Sequence, residues 1–164
     1  ISSKRSTSTE AITHQQQEPQ PNLINIRPDP ILEQLIAWTI QHPDSVDLEH
    51  TILQINSNSQ VLKILKECIE SIKSSPKRAG ASLLALIENQ HIRDEINKHL
   101  VKSNHLRDIN TKAHWQALAD SWQEKALQHK INRLLEHGKN NELDINQKRQ
   151  LNELIALKQK INLV

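Results

Sequence analysis

The stretch HWQALADSWQEKALQHKINRLLEHGKNNELDINQKRQLNELIALKQKINLV, His114 to Val164, decides the fold. Trp115, Leu118, Trp122, Ile131, Leu134 and Leu135 recur at a helical period, and this predicts one long amphipathic helix. The polar run His137-Gly138-Lys139-Asn140-Asn141 predicts a turn, and Asp144 with Gln147 three residues on has the form of a capping box that starts a return helix. The chain therefore ends in a helical hairpin. On the return helix Leu151, Leu154, Ile155, Leu157, Ile161 and Val164 sweep round about half the circumference, more than one partner helix covers. A further surface is expected to dock there.

Working back from the hairpin, the chain offers more helices and no sustained alternation of the kind that marks strands. Asp29 and Pro30 suit the N-cap and first turn of a helix carrying Ile31, Leu32, Leu35, Ile36, Trp38 and Ile40, which Pro43 stops. Residues 44–58, with Val46, Leu48, Ile52, Leu53 and Ile55, are spaced for a short helix or an irregular packed segment, and a short helix is expected. Ser57-x-x-Gln60 resembles a capping box ahead of Val61, Leu62, Ile64, Leu65, Cys68, Ile69 and Ile72. After Ser74-Ser75-Pro76 a helix is expected from about Lys77, with Leu83, Leu84, Leu86 and Ile87 inward. Gly80 there costs about 1 kcal/mol relative to Ala unless a neighbour packs against it closely. Ile92, Ile96, Leu100 and Val101 predict one more helix, and residues 103–112 a connector.

The expected organisation is thus all-α: a disordered tether over 1–23, a multi-helix bundle over 24–110 and a hairpin over 111–164. The tether is Ser/Thr-rich and then Gln/Pro-rich, with too little apolar surface to offset the entropy of ordering. In 164 residues without a methionine, the chain is expected to begin inside a longer polypeptide or to have been processed.

Composition narrows the function. With 21 basic and 19 acidic residues there is no overall field to draw the chain to DNA or to an anionic membrane. No apolar run approaches the ~18 residues that span a bilayer, so no membrane association is expected. A single cysteine, Cys68, suits a reducing compartment, and a cytoplasmic location is expected. His91, Glu95 and His99 share a helix face, but the outer two stand about 12 Å apart along the axis, too far to meet on one ion. Neither a Walker sequence nor GxGxxG occurs, and Cys68 lies among Leu65, Ile69 and Ile72 as a small hydrophobe would. No catalytic residue, cofactor or metal is expected. Lys73, Lys77 and Arg78 are the local basic cluster through which a helical nucleic-acid-binding module would act.

The order of these patterns resembles the C-terminal, helicase-binding domain of bacterial DNA primase. That family's opening helix ends in a pattern like Leu-Ile-Gly-x-x-x-Gln-Asn-Pro, and this chain has Leu35-Ile36-Ala37-Trp38-Thr39-Ile40-Gln41-His42-Pro43. Leu62 through Cys68, Ser75-Pro76, and Ala79 to Ser82 leading into Leu83-Leu84 look like its middle helices. Trp115, Gly138, Asp144 to Arg149, and Leu151 with Leu154 look like its hairpin. The resemblance spans roughly Ile31 to Ile161. It implies a bundle followed by a hairpin that binds the N-terminal domain of the hexameric replicative helicase and brings primase to the fork. Primer synthesis belongs to other domains of the family. Basic residues that in some members hold the tail of single-strand binding protein are replaced here by Asp29-Pro30-Ile31-Leu32-Glu33, which argues against that partner. The helicase's own N-terminal domain has a similar bundle and is the competing reading. The residues expected to touch the helicase are Leu135, Lys148, Leu151, Asn152, Ile155, Leu157, Lys158 and Ile161.

Overall fold

A computed structural model describes residues 27–77, 80–104, 106 and 109–163. The expected tether lies outside the described residues. Those residues form six helices and two 3₁₀ turns, with no strand among them: α1 (Pro30–Gln41), α2 (Gln60–Ser74), α3 (Gly80–Leu84), α4 (Gln90–Ser103), α5 (Thr111–Asn140) and α6 (Ile145–Asn162). The fold is all-α, a bundle running into a terminal hairpin.

α1 is the axis of the bundle. Asp29 caps it, its carboxylate accepting from the Leu32 amide at 3.2 Å, while Glu33 accepts from the Asp29 amide at 3.1 Å. Leu32, Leu35 and Ile36 have no exposure, because α2, α3, α4 and α5 all pack against this one helix. The three tryptophans join α1 to α5. Trp38 donates its indole N–H to the Thr111 carbonyl at 2.9 Å, Trp115 donates to Thr39 Oγ1 at 2.9 Å, and Trp122 donates to Asp29 Oδ2 at 2.8 Å. Each large ring thus buries its surface without orphaning its one polar atom.

α2 buries the expected stripe of Val61, Leu62, Leu65, Cys68, Ile69 and Ile72. Its cap is Ser59 and not Ser57, because the oxygen that reaches the Leu62 amide at 3.2 Å must stand three residues before it. Ser57 instead accepts from the Ser59 amide.

Three expectations for the connecting segments need correction. Residues 44–58 hold no α-helix: 3₁₀ turns at Pro43–Ser45 and Thr51–Gln54 seat Ile52 and Ile55 in the core. α3 has five residues, and beyond it the chain tightens into bonds from Leu86 to Leu83 and from Ile87 to Leu84. The 3.6-residue period then no longer holds, so Leu83 and Ile87 are buried while Leu86 is exposed. On α4 Ile92 and Ile96 are buried and Val101 is 67% exposed, since it stands a further ~100° round from Leu100.

Gly80 is explained by contact. A Cβ there would stand 2.4 Å from the carbonyl oxygen of Ile40, so α3 crosses the end of α1 at a distance only glycine permits.

α5 is 30 residues long, about 45 Å. Its first half belongs to the bundle, with Trp115, Ala119 and Trp122 in the common core. Lys130 still donates to the Asn56 carbonyl at 2.6 Å, and the part beyond it forms the first arm of the hairpin. The helix runs through the expected turn to Asn140, with Asn141 as its C-cap. Gly138 is helical and not left-handed; Leu143 of the short loop packs against it. Asp144 and Gln147 form the expected capping box, at 2.8 and 3.0 Å.

Candidate docking surface

α6 packs on α5 and has no other substantial neighbour, and none of its residues is buried. The reason lies in its stripe. Gln147, Leu151, Leu154, Leu157, Lys158 and Ile161 recur at three- and four-residue steps and are half-buried on the side turned to α5. One helix covers that side and leaves the flank of Lys148, Asn152 and Ile155 open.

The eight residues expected to form one docking face are divided by this geometry. Leu151, Lys158 and Ile161 lie in the seam between the helices. Ile155, Lys148 and Asn152 lie on one flank, about 80°, 100° and 140° from the middle of the seam, and are exposed. Leu135 of α5, 46% exposed, follows Gln128 and Ile131 on the facing wall. Leu157 lies on the opposite flank and is half-buried, so it does not share a face with Ile155.

Between the two walls runs a groove of about 360 Å³ lined by Gln128, Ile131, Ile155, Lys158, Gln159 and Asn162. The Lys158 ammonium donates to the Gln128 side-chain carbonyl across it, tying the arms of the hairpin together. Gln128, Gln159 and Asn162 are the groove residues that periodicity did not select, and Ile131, placed on the apolar stripe of the long helix, was not among the expected contacts. Their signal was the pairing of antiparallel arms, which sets Gln128 opposite Lys158 and, by the same register, Ile131 opposite Ile155.

The charge is unevenly divided. Residues 125–164 carry eight Lys or Arg against four Asp or Glu, while residues 27–124 carry eleven against thirteen. The near-neutral total conceals a basic hairpin on a slightly acidic bundle. Lys139 pairs with Glu136 at 2.6 Å and Lys148 with Glu142 at 3.6 Å, both in the open, where such pairs exchange readily for others. Of the expected Lys73, Lys77 and Arg78 cluster, Lys73 and Lys77 are exposed near the end of α2 and Arg78 lies outside the described residues.

The groups most suggestive of chemistry are structurally engaged. His50 is buried, and its Nδ1 accepts from the Ile52 amide at 3.1 Å. That fixes the proton on Nε2, which donates to Asp120 at 2.8 Å. With both nitrogens engaged, this His–Asp pair fastens the 3₁₀ turn to α5. Burial, helped by the Glu67 charge, pushes the Cys68 thiol up to about 12. His99 lies 3.5 Å from Glu33 across to α1, and the hydrogen bond from Lys98 holds the Glu95 carboxyl below its usual range. Among the described residues, no three His, Cys, Asp or Glu side chains converge as a metal site would require. No helix among them is long and apolar enough to cross a membrane.

A second cleft, about 230 Å³, opens between α1, α4 and α5 at Trp38, His99, Lys102, Ser103, His114 and Leu118. No family model, curated protein or solved structure matches the chain.

Proposed function

We propose that the chain is a non-catalytic interaction domain of the bacterial primase type, which binds the N-terminal domain of the hexameric replicative helicase through its terminal hairpin. In this reading it recruits primase to the replication fork and acts in the cytoplasm. The observation that carries the proposal is α6: an 18-residue helix with a capped start and an apolar stripe, covered by one neighbour and with no buried residue. A helix so placed adds little to the bundle's own stability. An exposed flank with Leu135 and Ile155 edged by Lys148 and Asn152 has apolar side chains within a polar rim, the layout of a protein contact. The ordered likeness to primase patterns, from Leu35 to Pro43 through to Leu151 and Leu154, supplies the choice of partner.

A hairpin of this size offers an interface under about 1,200 Å² per complex, so single contacts are weak and several chains on one hexamer reinforce one another when tethered. Calorimetry or sedimentation of the intact chain with the replicative helicase of the same organism tests the reading. It expects saturable binding with more than one chain per hexamer. Absence of binding at concentrations of about 100 μM would overturn it. The basic excess of residues 125–164 favours one second reading, a nucleic-acid-binding module. That reading instead predicts binding to DNA that falls steeply with salt.

A further inference from the structure

We propose that the groove between α5 and α6 seats an acidic amphipathic helix of the partner, which packs as the third helix of the hairpin. This rests on the reading of the hairpin as the docking element and adds the chemistry of what docks.

Three observations converge on that occupant. The first is shape. The groove runs between two antiparallel helices, with Ile131 and Ile155 at the same level in its floor and Leu135 further along the α5 wall. A third helix laid between two others presents residues at three- and four-step spacing, the period at which these walls are built. The second is polarity. Gln128, Asn152, Gln159 and Asn162 edge the apolar floor, so the occupant needs a narrow apolar ridge and polar shoulders. The third is charge. Lys158 is within the groove, Lys148 stands on its wall, and Lys125 and Lys139 fall on the same side of α5 at ~100° per residue.

Three acidic groups stand beside those walls: Glu124, which at ~100° per residue falls in line with Gln128 and Ile131, and Glu136 and Glu142, exposed partners of Lys139 and Lys148 that the carboxylates of an incoming helix can replace. Four of the eight cations of residues 125–164, Lys125, Lys139, Lys148 and Lys158, thus stand on the groove side and meet an acidic surface, whereas Lys130 is turned to the Asn56 carbonyl. Phosphate is the poorer match. The floor of the groove is aliphatic, no aromatic side chain is among the six that line it, and carboxylates interrupt the basic residues. A second copy of the chain is also a poorer match, because it would bring another basic hairpin to the same groove.

The test uses the intact chain and a synthetic helical peptide with a Leu/Ile ridge and Glu shoulders. Its controls are a scrambled peptide of the same composition, a version with Lys shoulders, and a single-stranded oligonucleotide. Backbone amide chemical shifts map the contact. The expected result is saturable shifts confined to residues 125–139 and 145–162 with the acidic helix, about tenfold weaker binding in Ile155→Glu, and several-fold weakening on raising salt from 50 to 500 mM. The scrambled and Lys-shouldered peptides should bind at least about tenfold more weakly.

Equal binding of the scrambled peptide would overturn the inference, since charge alone would then explain the contact. Tighter binding of the oligonucleotide would overturn it in favour of nucleic acid, and peptide shifts on α1 to α4 would place the site elsewhere. Lys158→Gln, which keeps a polar link to Gln128, provides a second variant if Ile155→Glu disturbs the hairpin, and it should weaken the acidic helix severalfold. The helicase itself separates this inference from the reading beneath it. Helicase binding that is insensitive to both variants overturns the groove and leaves the function standing. Binding of the acidic peptide without any helicase binding supports the groove and overturns the function.

Discussion

Replacing each of the two glycines by alanine should change stability in opposite directions, and the difference follows from what each would touch. In Gly80→Ala the new Cβ would stand 2.4 Å from the Ile40 carbonyl oxygen and 3.3 Å from its carbon. An ordinary carbon–oxygen contact is about 3.3 Å, so α3 must retreat by about 0.9 Å. The obstacle is backbone in the last turn of α1 and cannot rotate aside. The retreat loosens Leu83 and Ile87, both fully buried, against the core. Overpacking of that kind costs about 1–3 kcal/mol, against a gain of up to about 1 kcal/mol from the stiffer unfolded chain. The net expectation is a loss of about 1–2 kcal/mol.

In Gly138→Ala the nearest atoms are the Leu143 side chain, at 3.2 Å and beyond, in an exposed loop that can shift. There the backbone is already helical, and a gain of about 0.5–1 kcal/mol is expected. Urea unfolding followed by tryptophan fluorescence and by far-UV circular dichroism reads both. If Gly80→Ala raises the midpoint as much as Gly138→Ala does, the close crossing of α3 over α1 is wrong.

Other predictions follow from the junction of α1 and α5 and from the buried face of α2. Asp29→Ala removes the cap of α1 and the acceptor of the Trp122 indole together, and should lower stability by about 2–3 kcal/mol in the same urea assay; a loss below ~0.5 kcal/mol would mean that neither bond matters. Cys68, with its thiol raised to about 12, should resist alkylation in the native chain at pH 8 and react fully in urea; native labelling at the unfolded rate would show that α2 opens readily. His42 packs on Trp38, and burial first and the nearby His114 second hold it below its ordinary value near 6.5. The unfolded chain therefore binds the proton more readily, and this contribution to stability is whole above about 6.5 and is lost as pH falls through that value towards the lower folded one. His42→Gln should flatten the decline in urea midpoint between pH 7 and 5, and an unchanged slope would remove His42 as its source.

How much of this was legible in the sequence depends on where the determining interaction lies. α1 and α6 are set by caps and periodic apolar residues within their own span, so Asp29, Pro30, Asp144 and Gln147 were sufficient to place their starts, while for α2 the apolar stripe was legible and the cap was read two residues early, at Ser57 in place of Ser59. The extent of α5 was not, because a glycine in a polar run reads as a turn. Gly138 stays helical since Leu143 folds back on it from across the loop. Val101 and Leu86 read as core by spacing, and only the direction of approach of α1 and the end of α3 decide otherwise.

The roles of the tryptophans were likewise hidden. Each donates to a partner at least 73 positions away, or 93 for Trp122 and Asp29. The same junction means that the boundary drawn at 110 separates Trp115, Ala119 and Trp122 from the core they share, so a chain cut there loses part of its bundle. For the docking surface, the excess of apolar residues on the last helix was evident, but the choice among them was not. Leu157 and Ile155 are two positions apart, about 200° round the helix, and only the placement of α5 shows that they belong to different flanks.

Hydrogen exchange on the intact chain, with and without a saturating amount of the hexameric helicase, tests the central claim most directly. The account predicts slower exchange in α6 and in α5 beyond about residue 125, with α1 to α4 unchanged, and loss of that pattern in Ile155→Glu. Protection confined to α1 and α4 around the cleft of Trp38, His99 and Lys102, with the hairpin exchanging as in the free chain, would contradict it.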